Sequence, residues 1–151
     1  MDRSKTQMLY RRYPRLYRRA ALPATHTCMC WGFSCGGGWF DLIDRLSMKL
    51  ETEIERQQCA GVPEEGWIAA EQVKEKFGTL RFYLSHYPDN DEVARARIEK
   101  AIDSAEEESA RTCERCGGPG ELREGGWMHV LCGPCELEYQ RRGLRGDDGT
   151  W

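Results

Sequence analysis

An α+β fold is predicted by three features of this chain: two amphipathic helical stretches, an alternating apolar stretch between them, and two Cys-x-x-Cys pairs near the C-terminal end. At 151 residues the chain suits one domain, or one domain with a small metal module attached. Pro14 interrupts the first segment, so a short helix is expected before it and a turn or helix after it. Residues 1–22 form a basic arm. Arg3, Lys5, Arg11, Arg12, Arg15, Arg18 and Arg19 stand against Asp2 alone, so the arm carries +6 and the remainder −9 of a formal −3. Interleaved Tyr10, Tyr13 and Tyr17 would suit nucleic-acid stacking. The favoured reading is that Leu9, Tyr13, Leu16 and Tyr17 dock the arm on the acidic body with its arginines solvated, since that body would repel a duplex.

Residues 23–110 form the body. After a connector, the stretch Thr27-Cys-Met-Cys-Trp-Gly-Phe-Ser-Cys-Gly-Gly-Gly-Trp-Phe40 leads into the clearest helix. Trp39, Leu42, Ile43, Leu46, Leu50 and Ile54 fall at helical spacing, predicting a helix from about Phe40 to Gln57. Its polar face is assigned Asp41, Asp44, Arg45, Lys49, Glu51, Glu53 and Glu55, and Gly61 and Pro63 stop it. The period then changes. Leu80, Phe82 and Leu84 alternate with Arg81 and Tyr83, so Thr79 to Ser85 is a strand. Ile68 to Lys74 pairs with it antiparallel through Glu75-Lys-Phe-Gly78. Asn90 or Asp91 caps a second helix with Val93, Ala94, Ile98, Ala101, Ile102 and Ala105 on one face.

Residues 111–145 form the metal module, which comes after the second helix with no linker and is expected to pack on the body as one unit. Cys113-Glu-Arg-Cys116 and Cys132-Gly-Pro-Cys135 are separated by fifteen residues. A two-residue gap lets both sulfurs of a pair reach one ion, so four thiolates can form a closed tetrahedral zinc shell. Gly117 and Gly118 come directly after the first pair, where the chain must turn sharply. Glu121-Leu-Arg123 and Trp127-Met-His-Val-Leu131 flank Glu124-Gly125-Gly126, a short hairpin. Pro134 suits the first turn of a helix through Glu136 to Arg142. Knuckle, hairpin and helix make the layout of a treble clef. One structural Zn²⁺ is expected, and required for folding, because formation of such a site contributes folding free energy. Residues 146–151 read as a frayed tail.

Other chemistry is weaker. His26, Cys28, Cys30 and Cys35 lack a paired knuckle, so a buried structural turn around Trp31, Phe33 and Trp39 is preferred to a second metal site. Cys35 near a helix N-terminus is a candidate nucleophile without a convincing base. His86 reads as a surface residue. Nucleobase deaminases need His-x-Glu and Pro-Cys-x-x-Cys; Pro134-Cys135 is succeeded by Glu136, Leu137 and Glu138, and His129 by Val130 and Leu131. His-Asn-His nucleases need a histidine pair and an asparagine between the cysteine pairs, where this chain has His129 alone. No run of eighteen apolar residues and no apolar signal core appears, so a membrane span and secretion are not expected. Eight cysteines in such a chain point to metal and a reducing cytoplasm.

The segment Thr27 to Asp44, the segment Gln72-Val-Lys-Glu-Lys-Phe-Gly-Thr-Leu-Arg-Phe-Tyr83, and Cys113-Glu-Arg-Cys-Gly-Gly-Pro-Gly120 with Gly126-Trp127 and Leu131-Cys132 together resemble a family of small cysteine-rich proteins encoded by bacteriophages and prophages. That family has no settled activity. Its pattern often carries an acidic residue where this chain has Gly37, a departure that weakens a catalytic role for the glycine turn. The resemblance implies a phage accessory protein in a bacterial cytoplasm. The first functional expectation is a non-enzymatic binder of a host protein, an inhibitor of a CRISPR-type defence nuclease, using Glu64, Glu65, Glu106, Glu107 and Glu108. The second is a nucleic-acid-binding regulator using Arg11, Arg12, Arg15, Arg18 and Arg19 with Arg141, Arg142 and Arg145.

Overall fold

The computed structural model describes residues 1–123 and 128–143. Within them the chain is α+β, in the order α1 (Arg3–Arg12), α2 (Phe40–Cys59), β1 (Ala70–Lys76), β2 (Thr79–Leu84), α3 (Glu92–Ser109), β3 (Glu121–Arg123), β4 (His129–Leu131) and α4 (Gly133–Gly143). Asp2 caps α1 by accepting the Lys5 amide at 2.9 Å, and Asp91 caps α3 by accepting the Ala94 amide at 2.8 Å. Such caps satisfy amides that the first helical turn leaves without partners. One apolar cluster joins Leu9, Leu16 and Tyr17 of the arm to Trp39, Ile43, Leu46, Leu50 and Ile54 on the α2 side. Val73, Leu80 and Phe82 of the hairpin and Ile98 and Ile102 of α3 complete it.

β1 and β2 pair antiparallel, with Val73 opposite Phe82, Lys74 opposite Arg81 and Lys76 opposite Thr79. Phe77 and Gly78 close the hairpin at φ +55° and +81°. A two-residue loop of this hand requires positive φ at both positions, which suits Asn or Gly and costs a ring-bearing residue about 1–2 kcal/mol. The far edge of β2 is covered by α3. Ser109 Oγ accepts the Leu80 amide at 2.8 Å, and the Glu106 carboxylate accepts the Phe82 amide. The edge is thereby shielded from further strand pairing. On the other side, Ser34 bridges β1 through its amide to Val73 O at 3.0 Å and its carbonyl to the Glu75 amide at 2.9 Å.

Several expectations are corrected. Glu51 and Glu53, assigned to the polar face of α2, are buried. Glu51 accepts the Leu16 amide at 2.9 Å and so holds the turn after Pro14. Glu53 makes two 2.9 Å bonds to Arg97 of α3. Helical periodicity sees one helix at a time, and these carboxylates are drawn inward by donors on other elements. Trp31, expected in the core, is 70% exposed, and Val93, placed on the apolar face of α3, is 67% exposed. β1 begins at Ala70 rather than Ile68, where the Ile68 amide is taken by Gln57 Oε1 at 3.1 Å. His86 is half-buried rather than on the surface. Its ring bridges Ser85 Oγ and Gly66 O, both at 3.0 Å.

The arm lies on the body, but its arginines are not simply solvated. Arg12 meets Asp44 at 2.9 Å, Arg15 lies 3.3 Å from Glu55 and 3.4 Å from Glu51, and Arg19 lies 3.2 Å from Glu71. Arg18 donates to Trp67 O at 2.6 Å and Ile68 O at 2.8 Å. Among the described residues, no helix is long and apolar enough to cross a membrane.

Candidate metal centre

The Cys113–Cys116 knuckle turns where glycine is required. The Gly117 amide donates to Cys113 O at 2.9 Å with φ +81° at Gly117, and the Cys113 amide donates to Gly118 O at 2.7 Å. β3 and β4 then pair antiparallel, Leu122 opposite Val130, and the Glu114 amide ties the knuckle to Val130 O at 2.9 Å. Cys132 O accepts the Glu136 amide at 2.9 Å as α4 begins, so Cys135 emerges from the first helical turn. Knuckle, short ribbon and helix therefore deliver four sulfurs to one point. The Sγ atoms of Cys113, Cys116, Cys132 and Cys135 all lie within 4.8 Å of one another. Among the described residues this is the one such group.

The donor set fits a tetrahedral metal ion. A Zn–S bond near 2.3 Å implies sulfur–sulfur edges of about 3.8 Å, and Cys116 Sγ lies 3.7 Å from Cys132 Sγ. No disulfide links the four. Crowding and burial shift the four thiols unevenly. Burial opposes ionisation of Cys113, yet the backbone amides of Cys132, Cys116 and Arg115 bring its thiol down to about 7. The Gly118 amide favours the Cys116 thiolate, but burial and the neighbouring sulfurs raise that thiol on balance. Burial and the same neighbours push Cys135 up strongly. Behind the sulfurs His129 is buried, with Nε2 3.4 Å from Glu136 Oε2 and its ring edge-on to Tyr139 at 4.5 Å.

The glycine triplet proves to be the seat of this module. A Cβ on Gly38 would stand 2.3 Å from Cys113 O and 2.6 Å from Gly117 N, and one on Gly36 would stand 2.3 Å from Glu114 O. The backbones meet directly. The Gly38 amide donates to Glu114 O and the Gly36 amide to Glu114 Oε1, both at 2.7 Å, while Trp39 Nε1 donates to Thr112 O at 2.9 Å. Burial raises the Glu114 carboxyl, the Gly36 amide pulls it back, and Glu75 nearby raises it further. Sequence reasoning read a tight turn here but not its partner. The signal was available in two glycine-rich segments, Gly36-Gly-Gly38 and Gly117-Gly118, whose backbones can approach face to face.

The remaining candidates are dispersed. Cys30 Sγ donates to Thr27 O at 3.2 Å, and Cys28 and Cys30 are half-buried. Burial pushes the Cys35 thiol up to about 12, the direction opposite to an activated nucleophile. Glu64 and Glu65 lie exposed on the turn after α2. Glu106 is held by Arg81 at 3.2 Å and Glu108 by Arg45, while Glu107 is exposed. Arg11 and Arg141 are exposed, Arg142 lies 3.4 Å from Glu138, and Arg145 and the 146–151 tail fall outside the described residues.

The fold and site define a class: an α+β protein carrying a four-cysteine module able to hold one metal ion. Comparison with protein-family models, with curated proteins and with solved structures finds no match to this chain.

Proposed function

We propose that the chain is a non-catalytic binding protein whose C-terminal module is a treble clef stapled by one structural Zn²⁺. The carrying observation is the convergence of Cys113, Cys116, Cys132 and Cys135 on one point. Four thiolates fill a tetrahedral shell and leave no position for water or substrate, which suits a staple rather than a reaction centre. The phage-like motifs favour a partner in the bacterial host, and the acidic balance favours a basic one. A nuclease of the CRISPR type, whose nucleic-acid cleft is basic, is the partner of first choice. Within the described residues Arg12, Arg15 and Arg19 are neutralised by body carboxylates, whereas Glu65 and Glu107 are exposed acids with no internal partner. Those two, rather than Glu106 and Glu108, are the charges to reverse without disturbing the fold.

Affinity capture from bacterial lysate tests this reading. A specific protein retained by the wild type and lost on Glu65→Lys with Glu107→Lys is the expected result. Capture unaffected by charge reversal would overturn the acidic-surface reading. Nucleic-acid binding through the arm is the weaker reading, because Arg12, Arg15, Arg18 and Arg19 all engage groups of the body, which leaves Arg3 and Arg11, both exposed, outside these contacts.

A further inference from the structure

The outward face of the β1–β2 hairpin carries a chemistry the fold does not use. Val73, Leu80 and Phe82 point into the core. The register therefore places Gln72, Lys74, Lys76, Thr79, Arg81 and Tyr83 together on the opposite face, with no acidic residue among them. Arg81 reaches over the edge to Glu106. Lys74 and Lys76 form no ion pair among the described residues. Instead each ammonium lies 5.4 Å from a ring centre, Lys74 over Tyr83 and Lys76 over Phe77. Tyr83 is 41% exposed and Phe77 66% exposed.

Phe77 is the unusual member. It occupies the left-handed region at φ +55°, where Asn or Gly would fit the turn better. Its ring is largely in water, so packing does not explain the choice. A local rule broken without a structural gain is the mark of a residue kept for another purpose.

We propose that this face binds single-stranded nucleic acid, with bases stacking on Phe77 and Tyr83 and phosphates meeting Lys74 and Lys76. Unpaired bases offer π-faces to any exposed ring, and a cation beside each ring suits the backbone that joins them. An acidic peptide would satisfy the lysines but leave the rings without a stacking partner. The surface is distinct from Glu65 and Glu107, so it stands or falls separately from the protein-partner reading.

Fluorescence anisotropy of the zinc-loaded protein with a labelled oligothymidylate of about 12 nucleotides tests the proposal, a length within the roughly 4–16 nucleotides that a single OB fold covers. Tyr83→Ala is expected to weaken binding about 5- to 150-fold, the range for loss of one stacked base. Lys74→Glu with Lys76→Glu is expected to abolish binding, and the wild-type log–log salt slope should be near −1.4, about −0.7 for each phosphate met by these lysines. Phe77→Asn separates function from folding: it should raise the melting midpoint by relieving the turn while weakening binding. Unchanged affinity in Phe77→Asn would overturn the proposal. So would no binding at low salt, or equal affinity for a poly-glutamate peptide with the same dependence on the rings.

Discussion

Two antiparallel ribbons occur among the described residues, and they are held by different forces. β1–β2 is seated in the apolar cluster through Val73, Leu80 and Phe82, and α3 covers its edge. β3–β4 has strands of three residues each. Among the described residues the module sends no side chain into the central cluster, and its own buried apolar groups are Cys113, Val130 and Leu131. A two-stranded ribbon with so little buried surface is marginal by itself in water. What holds it is the sulfur cluster, the backbone seat on Gly36 and Gly38 with the Trp39 indole bond to Thr112 O, and Leu122 packed on Gly78 at the tip of the β1–β2 hairpin. On the proposed metal reading the difference is a division of labour: apolar burial organises the chain up to Ser109, and an ion held by the four clustered cysteines would organise the module beyond it.

Loss of a thiolate should expose this contrast most strongly. Cys132→Ser is expected to lower metal content from one ion per chain toward zero and the melting midpoint by on the order of 10 °C, read by metal analysis and calorimetry. Cys30→Ser should keep the ion. Next comes the seat itself. Gly38→Ala drives a methyl into Cys113 O and Gly117 N and is expected to cost about 3 kcal/mol in denaturant unfolding. Gly133→Ala, where an added Cβ meets nothing within 4 Å, should cost nothing measurable.

On the body side, Glu53→Ala removes a buried carboxylate from Arg97 and Arg56. Because both arginines remain half in water, the expected cost is about 2 kcal/mol rather than that of a fully buried pair. A smaller effect belongs to Cys35. Its thiol is raised in the fold from about 9 to about 12 by burial, so the unfolded chain loses that proton first. The stability it secures is complete below pH 9 and is lost as pH rises toward 12, by about 1.4 kcal/mol at pH 10. Cys35→Ala should flatten that part of the alkaline unfolding curve.

Much of this architecture was legible in sequence. The α2 face, the alternation of Leu80 and Phe82, the Asp91 cap and the spacing of the four module cysteines each obey a local rule, and each element formed. The part that was not legible depends on contacts between distant segments. Glu51 looked solvated until the arm's amides were placed beside it, and Glu53 until Arg97 was. The glycine triplet looked like a turn until the Cys113 knuckle lay on it. Gly37, between its two constrained neighbours, is the position with room: an added Cβ would meet only the ends of Lys5 and Asp2 at 3.2–3.9 Å.

Hydrogen exchange of the protein with and without a strong chelator tests the division of labour most directly. Without metal, amides of Cys113, Glu114, Gly117 and β3–β4 should lose protection, and those of Gly36 and Gly38 should do so next as their acceptors on Glu114 move away. Those of α2 and the β1–β2 ladder should remain slow. Full protection of the module after chelation, or simultaneous loss throughout the chain, would contradict the account.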